Sequence, residues 1–314
     1  MKYLDLKLKC REMIQMSKLE ELSLEITQKC NNHCIFCYSE SHRNCNNELS
    51  FDKIKEIIDD AVKLGVKRIN LSGGEPFLHP NIYEIMNYIK SKTKAKLHIY
   101  TSGNCEIDSY ISADVITFDI PSIMRIIYDR MCDCEWNVIH KVLDNLQYLS
   151  NIKKHVEVIT ILTQLNFSDL APSFSILFRK YGVKKINVIK LVKQGRAYDN
   201  WDILNVTTKD VTEWLKVAKQ HYGDKIVIGT GFGIGCLHGC QIDCRKLSVR
   251  YDGLVFPCEY FKNNKLSEID GIKPDSIWDK RLFDIYYKSE YLSRIKKIRL
   301  ENKTEHCIGE SLMN

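Results

Sequence analysis

The chain has 314 residues, 44% of them apolar and 27% charged, and 46 Lys and Arg against 40 Asp and Glu give a net charge of +6. This composition excludes a mainly disordered chain, and the length suits about two domains or one large α/β unit with an appendage. The mild positive balance neither requires nor excludes a nucleic-acid partner. No stretch approaches the roughly 20 apolar residues of a membrane helix. Met1–Leu8 lacks an apolar signal core, so the expected location is cytoplasmic.

After a lead over residues 1–21, Leu22–Thr27 alternates as a strand does. Ser50 caps an amphipathic helix over Phe51–Leu64, with Ile54, Ile57, Ile58, Ala61 and Val62 on one face and Gly65 as its stop. A strand at Lys67–Leu71 breaks into Ser72-Gly73-Gly74-Glu75-Pro76. Next come a helix at Asn81–Ser91, a strand at Lys96–Thr101, the turn Ser102-Gly103-Asn104 and a strand at Asp114–Ile120. A helix at Trp136–Ser150, a strand at His155–Leu162, a helix at Ser168–Tyr181 and a strand at Lys185–Val192 complete the run. Strands alternating with helical segments predict a parallel sheet. Six units are too few for a closed eight-stranded barrel, so the α/β expectation is a partial (β/α)6 TIM-type barrel over residues 22–205. In such sheets the chemistry sits at the C-terminal strand ends, which would gather the loops after strands one, two and three on one rim.

Past Gln194-Gly195-Arg196-Ala197 the pattern changes, and residues 206–314 are expected to form a small α+β domain. It would contain a helix over Lys209–Tyr222, a glycine-dense stretch at Gly229–Gly235 and a hairpin over Leu247–Phe256 turning at Tyr251-Asp252-Gly253. A basic helical tail follows over Ser276–Lys303. Its Arg281, Lys288, Arg294, Lys296, Lys297, Arg299 and Lys303 read as a solvated face, with Leu292, Ile295 and Ile298 inward. An RNA or acidic-peptide track is the lesser reading, because no RNA-binding motif accompanies it.

Thirteen cysteines are the anomaly. A reducing cytosol argues against disulfides, and close spacing there points to metal. Cys30, Cys34 and Cys37 form C-x3-C-x2-C, while Cys236, Cys240, Cys244 and Cys258 form a late set with Cys307 near the end. Three protein thiolates leave one iron of a four-iron cluster open to a substrate or cofactor. Zinc is the alternative, with His33 or His42 completing the first set. A zinc-stabilised, non-catalytic binding protein is therefore the different-class reading.

With Phe36 before the last cysteine, Tyr38 after it and the Gly73-Gly74-Glu75-Pro76 loop past the second strand, the chain resembles the radical S-adenosylmethionine (SAM) superfamily over Leu22–Val192. The resemblance implies a [4Fe-4S] cluster on Cys30, Cys34 and Cys37, with SAM on the open iron and its amino group at Gly73, Gly74, Glu75 and Pro76. Reductive cleavage would then give a 5′-deoxyadenosyl radical that takes hydrogen from an unactivated C–H. Phe36, Tyr38, Ser102, Asp119 and Arg196 are further candidates for contact with SAM, an ordinary turn or buried polar residue being the competing reading for the last three. The hairpin ending in Pro257-Cys258 resembles the start of a SPASM or twitch domain. That implies an auxiliary [4Fe-4S] cluster on Cys240, Cys244, Cys258 and Cys307, with Cys236 spare. The class points to a ribosomally made peptide as substrate, modified by epimerisation or by thioether or carbon cross-linking, and a carbohydrate or nucleotide is the alternative. Cys132 and Cys134 are candidate hydrogen donors, and Cys105 is placed on the same side. Implied partners are a flavodoxin or ferredoxin and, because little chain precedes the first strand, a separate peptide-recognition protein.

Overall fold

The structure, a computed structural model, describes residues 18–206, 208–228, 245–262 and 267–302. Strands β1 (Glu21–Glu25), β2 (Arg68–Ser72), β3 (Lys96–Thr101), β4 (Val115–Asp119), β5 (Val156–Leu162) and β6 (Ile186–Lys190) lie side by side in chain order, all parallel. Helices α1 (Phe51–Lys63), α2 (Ile82–Lys92), α3 (Arg125–Cys132), α4 (Val138–Asn151) and α5 (Leu170–Arg179) fill every crossover except the one from β3 to β4. The partial barrel foreseen from the alternation is present.

The period of two explains which face is which. Leu22, Leu24, Ile69, Leu71, Leu97, Ile99, Ile116, Phe118, Val156 and Val158 are buried and pack with Ile54, Ile58, Ile85, Ile89, Val142 and Leu146 of the helices. The alternate positions form the interior face: Ser23 and Glu25, Asn70, His98 and Tyr100, Thr117 and Asp119, Glu157, and Asn187. A barrel interior that only packs is filled with branched apolar side chains. This one is largely polar, with Val115, Ile159, Ile161 and Ile189 among the polar side chains, which suits binding as well as packing.

The late part of the chain flanks both sides of this core. After α6 (Arg196–Asp199), α7 (Trp201–Leu204) and α8 (Thr208–Tyr222), an unforeseen strand β7 (Ile226–Ile228) pairs with β6. The hairpin is where it was expected, as β8 (Lys246–Val249) and β9 (Val255–Phe256). It does not stand apart, because β8 pairs in parallel with β1 and extends the sheet to nine strands. Ion pairs fasten it: half-buried Lys246 Nζ lies 2.9 Å from Glu21 and 3.1 Å from Glu259, and buried Lys262 Nζ lies 2.9 Å from Glu25. Burial pushes the Glu259 carboxyl up, but Lys246 and Lys262 outweigh it and hold the group at about 2.

Three local readings need correction. Val62 is 39% exposed, and Asp60 takes the buried place on that face, held by Arg281 through two 2.9 Å bonds. The tail is two helices, α9 (Leu282–Lys288) and α10 (Glu290–Asn302), broken at buried Ser289. Within it Leu292, Ile295 and Ile298 are buried as expected, but so is Lys296, and Arg281 is spent on Asp60. Among the described residues no helix is long and apolar enough to cross a membrane. Gly229–Gly235, Cys236, Cys240, Cys244, Lys303 and Cys307 lie outside the described residues.

Candidate functional site

Cys30, Cys34 and Cys37 lie in the loop that leaves β1, and segments following β2, β3, β4 and β6 grip that loop. After β2, the Gly74 amide donates to Thr27 O (2.7 Å) and the Glu75 amide to Lys29 O (2.8 Å). A Cβ on Gly74 would stand 2.3 Å from Lys29 O, so only glycine permits this approach. After β3, Asn104 Nδ2 donates to Asn32 Oδ1 (2.8 Å), and the Asn31 side-chain amide reaches Asn104 O. At the end of α3, the carbonyls of Cys132 and Met131 accept from the amides of His33 (3.1 Å) and Ile35 (2.9 Å), and His33 Nδ1 lies 3.0 Å from Asp133. After β6, Arg196 donates through its amide to Cys37 O (3.1 Å), through Nε to Cys34 O (2.8 Å) and through Nη2 to Ser41 O (2.9 Å). Asn200 Nδ2 adds a bond to Ile35 O (3.2 Å).

Gly195 matters in the same way. Its φ is +52°, and a Cβ there would lie 2.5 Å from Cys37 O and 2.6 Å from Tyr38 O. Gly195→Ala is expected to cost about 1–3 kcal/mol. A thermal melt of the metal-free protein checks this, and an unchanged midpoint would show that the loop yields.

The three thiols are all held away from their ordinary range, and Cys34 raises both of the others. Burial and then Cys34 push Cys30 up. Cys37 is pushed to about 11 by burial and by Cys34, with Arg196 pulling against them. Cys34 is raised first by its hydrogen bond with Cys132 and then by burial. A donor set of three neighbouring thiols suits a four-iron cluster, in which each thiolate binds a different iron. Among the described residues no three His, Cys, Asp or Glu converge to hold a single ion, and His33 faces Asp133 instead.

Glu75 is fully buried with both oxygens occupied. Oε1 accepts from Thr101 Oγ1 (2.8 Å) and the Phe77 amide (3.2 Å), and Oε2 accepts from the Ser102 amide (2.8 Å) and Oγ (2.6 Å). Burial raises its carboxyl while these donors oppose the shift. The carboxylate thus ties the Gly73-Gly74-Glu75 loop to the turn after β3, and Pro76 opens the short 3-10 turn that follows. An incoming ammonium would share oxygens that already carry two donors each.

Phe36 is buried in a small apolar cluster with Met131, Leu191, Ala197 and Leu204. Tyr38 keeps 40% exposure, and its hydroxyl donates to Glu25 Oε1 at 2.5 Å. Asp119 ends β4 with Oδ1 shielded and without a hydrogen-bond partner among the described residues. Burial lifts its carboxyl to about 7. A raised carboxyl costs the fold nothing below its unfolded value of 3.8, and the cost grows until the folded value near 7 is passed. Asp119→Asn should therefore stabilise the ligand-free protein by about 3 kcal/mol at pH 8, the gain shrinking from pH 7 to 4. Urea unfolding across that range reads it, and a pH-independent difference would exclude the assignment.

Of the candidate hydrogen donors, Cys132 is buried against Cys34, and Cys134 is half-buried, pushed to about 12 by burial and Asp129. Cys105 is buried beside Thr101 Oγ1 at 3.7 Å. Cys258, half-buried after the hairpin, is the late cysteine among the described residues. Sequence reasoning overlooked Asn31, Asn32, Asn104, Asn200, Glu25 and Lys262. In an Asn- and Lys-rich chain such residues carry little signal; the one available was Asn-Asn between two cysteines.

Residues 24–175 match the model of the radical SAM superfamily. Mycofactocin maturase MftC of Mycolicibacterium smegmatis is 26% identical over 230 residues, covering 67% of this chain and 54% of that protein. The chain thus spans about half the length of that curated relative. A probable GTP 3′,8-cyclase of Saccharolobus solfataricus is 23% identical over 281 residues, 81% of this chain and 87% of that one. Streptococcus suis SuiB bound to its precursor peptide SuiA superposes with a TM-score of 0.74 at 14% identity, over 93% of this chain and 70% of that chain. At that identity the likeness is one of fold.

Proposed function

The chain belongs to the radical SAM superfamily through residues 24–175, and on that premise we propose that it splits SAM reductively and uses the 5′-deoxyadenosyl radical to take hydrogen from an unactivated carbon of a peptide. The observation that carries the SAM reading is the gripped loop, with three cysteines within eight residues at the C-terminal rim of a partial barrel. In this reading Cys30, Cys34 and Cys37 hold a [4Fe-4S] cluster, which supplies the single electron when bound. Arg196, Asn200 and the Gly74-Glu75 amides fix the loop that carries the thiols, and Asp119 offers its unpartnered oxygen to SAM. Phe36 shapes the floor, and Tyr38 and Ser102 line the approach.

A peptide substrate is supported by the shared fold with SuiB, which was solved holding a precursor peptide. Epimerisation and cross-linking are both open to such a site, and Cys134 has the solvent contact that a hydrogen donor needs. The auxiliary cluster would sit on Cys240, Cys244, Cys258 and Cys307, in a twitch or SPASM-like domain over residues 206–314. A flavodoxin or ferredoxin would deliver electrons, a separate protein would present the peptide, and the setting would be cytoplasmic. A small-molecule substrate is the second reading, because the probable GTP 3′,8-cyclase aligns over more of both chains than the maturase does.

The test is anaerobic reconstitution with iron and sulfide, followed by dithionite and SAM. Release of 5′-deoxyadenosine and methionine is expected, and its absence from a cluster-loaded sample would overturn the proposal. Faster release with a peptide library than with GTP selects the first reading, and the reverse selects the second.

A further inference from the structure

Ser248, Ser23, Asn70 and His98 are successive cross-strand partners on β8, β1, β2 and β3, so they form one row on the interior face. Glu25 stands two residues beyond Ser23, toward the rim. Ser23, Glu25, Asn70 and Ser248 are all more than nine-tenths buried. Yet Glu25 Oε2, Asn70 Oδ1, His98 Nε2 and Ser248 Oγ have no hydrogen-bond partner among the described residues. Asn70 spends Nδ2 on Glu21 (2.9 Å) and Ser23 (3.1 Å), which leaves its Oδ1 unused. Buried polar atoms are costly when unpaired, and four on one inner wall point to a bound group.

The two carboxylate oxygens of Glu25 differ sharply. Oε1 receives Tyr38 Oη (2.5 Å) and Ser39 Oγ (3.2 Å), with Lys262 Nζ at 2.9 Å. Oε2 receives nothing among the described residues. Lys262 is also buried and acts on Glu259 only at longer range; among the described residues its one ion pair is with Glu25, so an ammonium with three protons has donors left over. The wall therefore presents an acceptor oxygen beside donor protons on a pair with no net charge. A cation drawn to Glu25 would meet Lys262, and an anion drawn to Lys262 would meet Glu25. The complement is a neutral group with an N–H next to a C=O.

We infer that Glu25 and Lys262, with Asn70 and Ser248 beneath them, determine substrate specificity by receiving a neutral amide, whether from a peptide or from a nucleobase lactam. The amide N–H donates to Glu25 Oε2, and Lys262 donates to its carbonyl. This rests on the reading that SAM and a substrate share the barrel mouth.

Saturation-transfer NMR on the full chain, reconstituted and SAM-loaded, tests it with four probes. N-acetylasparagine amide and guanosine are the neutral amides, and agmatine and glutarate are the charged counterparts. Transfer is expected to at least one amide and to neither charged probe. Transfer to the asparagine derivative alone would assign a peptide source, and transfer to guanosine alone a nucleobase. In Glu25→Gln the bonds at Oε1 force the new NH2 into the Oε2 position, turning the acceptor into a donor. Glu25→Gln and Lys262→Met should each cut the signal by about fivefold or more. Equal transfer to a charged probe, transfer to none of the four, or an amide signal unchanged in both variants overturns the inference. The four-probe comparison on the unaltered protein does not depend on either variant folding. 5′-Deoxyadenosine release is measured on the same samples, and its absence counts against the radical reading while the amide signals still decide this one.

Discussion

Alanine at Cys30, Cys34 and Cys37 together is expected to remove about four irons from each anaerobically reconstituted chain and to end 5′-deoxyadenosine formation. The expectation follows from the neighbouring thiols and from the four segments that hold their loop in place. The late cysteines decide the starting number. With an auxiliary cluster in place the count falls from about eight to about four, and with zinc or nothing there it falls from about four to none. Iron and acid-labile sulfide assays on both proteins read the difference. An unchanged count in the triple variant would mean that these cysteines hold no cluster, and the SAM reading would go with it.

Glu75→Ala is expected to be the most damaging single change to the cluster-free protein. It leaves Thr101 Oγ1, Ser102 Oγ and the amides of Phe77 and Ser102 without their acceptor, in a place solvent does not reach. Hydrogen bonds to a buried charged group are worth about 1.5–3 kcal/mol each, but the loop can relax, so a loss of about 4 kcal/mol is expected. Glu75→Gln keeps one oxygen and should cost about half as much. Because the Gly74 and Glu75 amides also hold Thr27 and Lys29, iron uptake should fall in the alanine variant. Urea unfolding measures the first effect, and a loss below about 1 kcal/mol would show that the carboxylate is not the staple described.

The sequence made the six strands readable because β1, β2 and β3 alternate apolar and polar residues, β4, β5 and β6 are short, mostly apolar runs, and the long helices carry an apolar stripe, as in Ile54, Ile57 and Ile58. The rim was readable for the same reason: once strand ends are placed, the cysteines, Gly74 and Arg196 follow. Helix α3 was not. Its eight residues carry no side-chain cap, and its end is fixed by Met131 and Cys132 bonding to a loop near the start of the chain. β7 has only three residues and is a strand because β6 offers an edge. Glu25 occupies a polar position of the alternating strand Leu22–Thr27. It is buried because the interior face lies there and Lys262 arrives from the far end of the chain. All three misses involve partners distant in sequence, which no local pattern encodes.

The parallel pairing of β1 with β8 has a consequence for synthesis. Glu21–Leu24 finds its outer neighbour only in Lys246–Val249. At ribosomal speeds of about 5–20 residues per second, the oldest strand of the sheet waits on the order of 10–40 s with that edge uncovered. An uncovered parallel edge is a template for the wrong strand, and distant pairings of this kind close slowly. The nascent protein therefore carries an open strand edge beside its cysteine loop until Lys246–Val249 has been made.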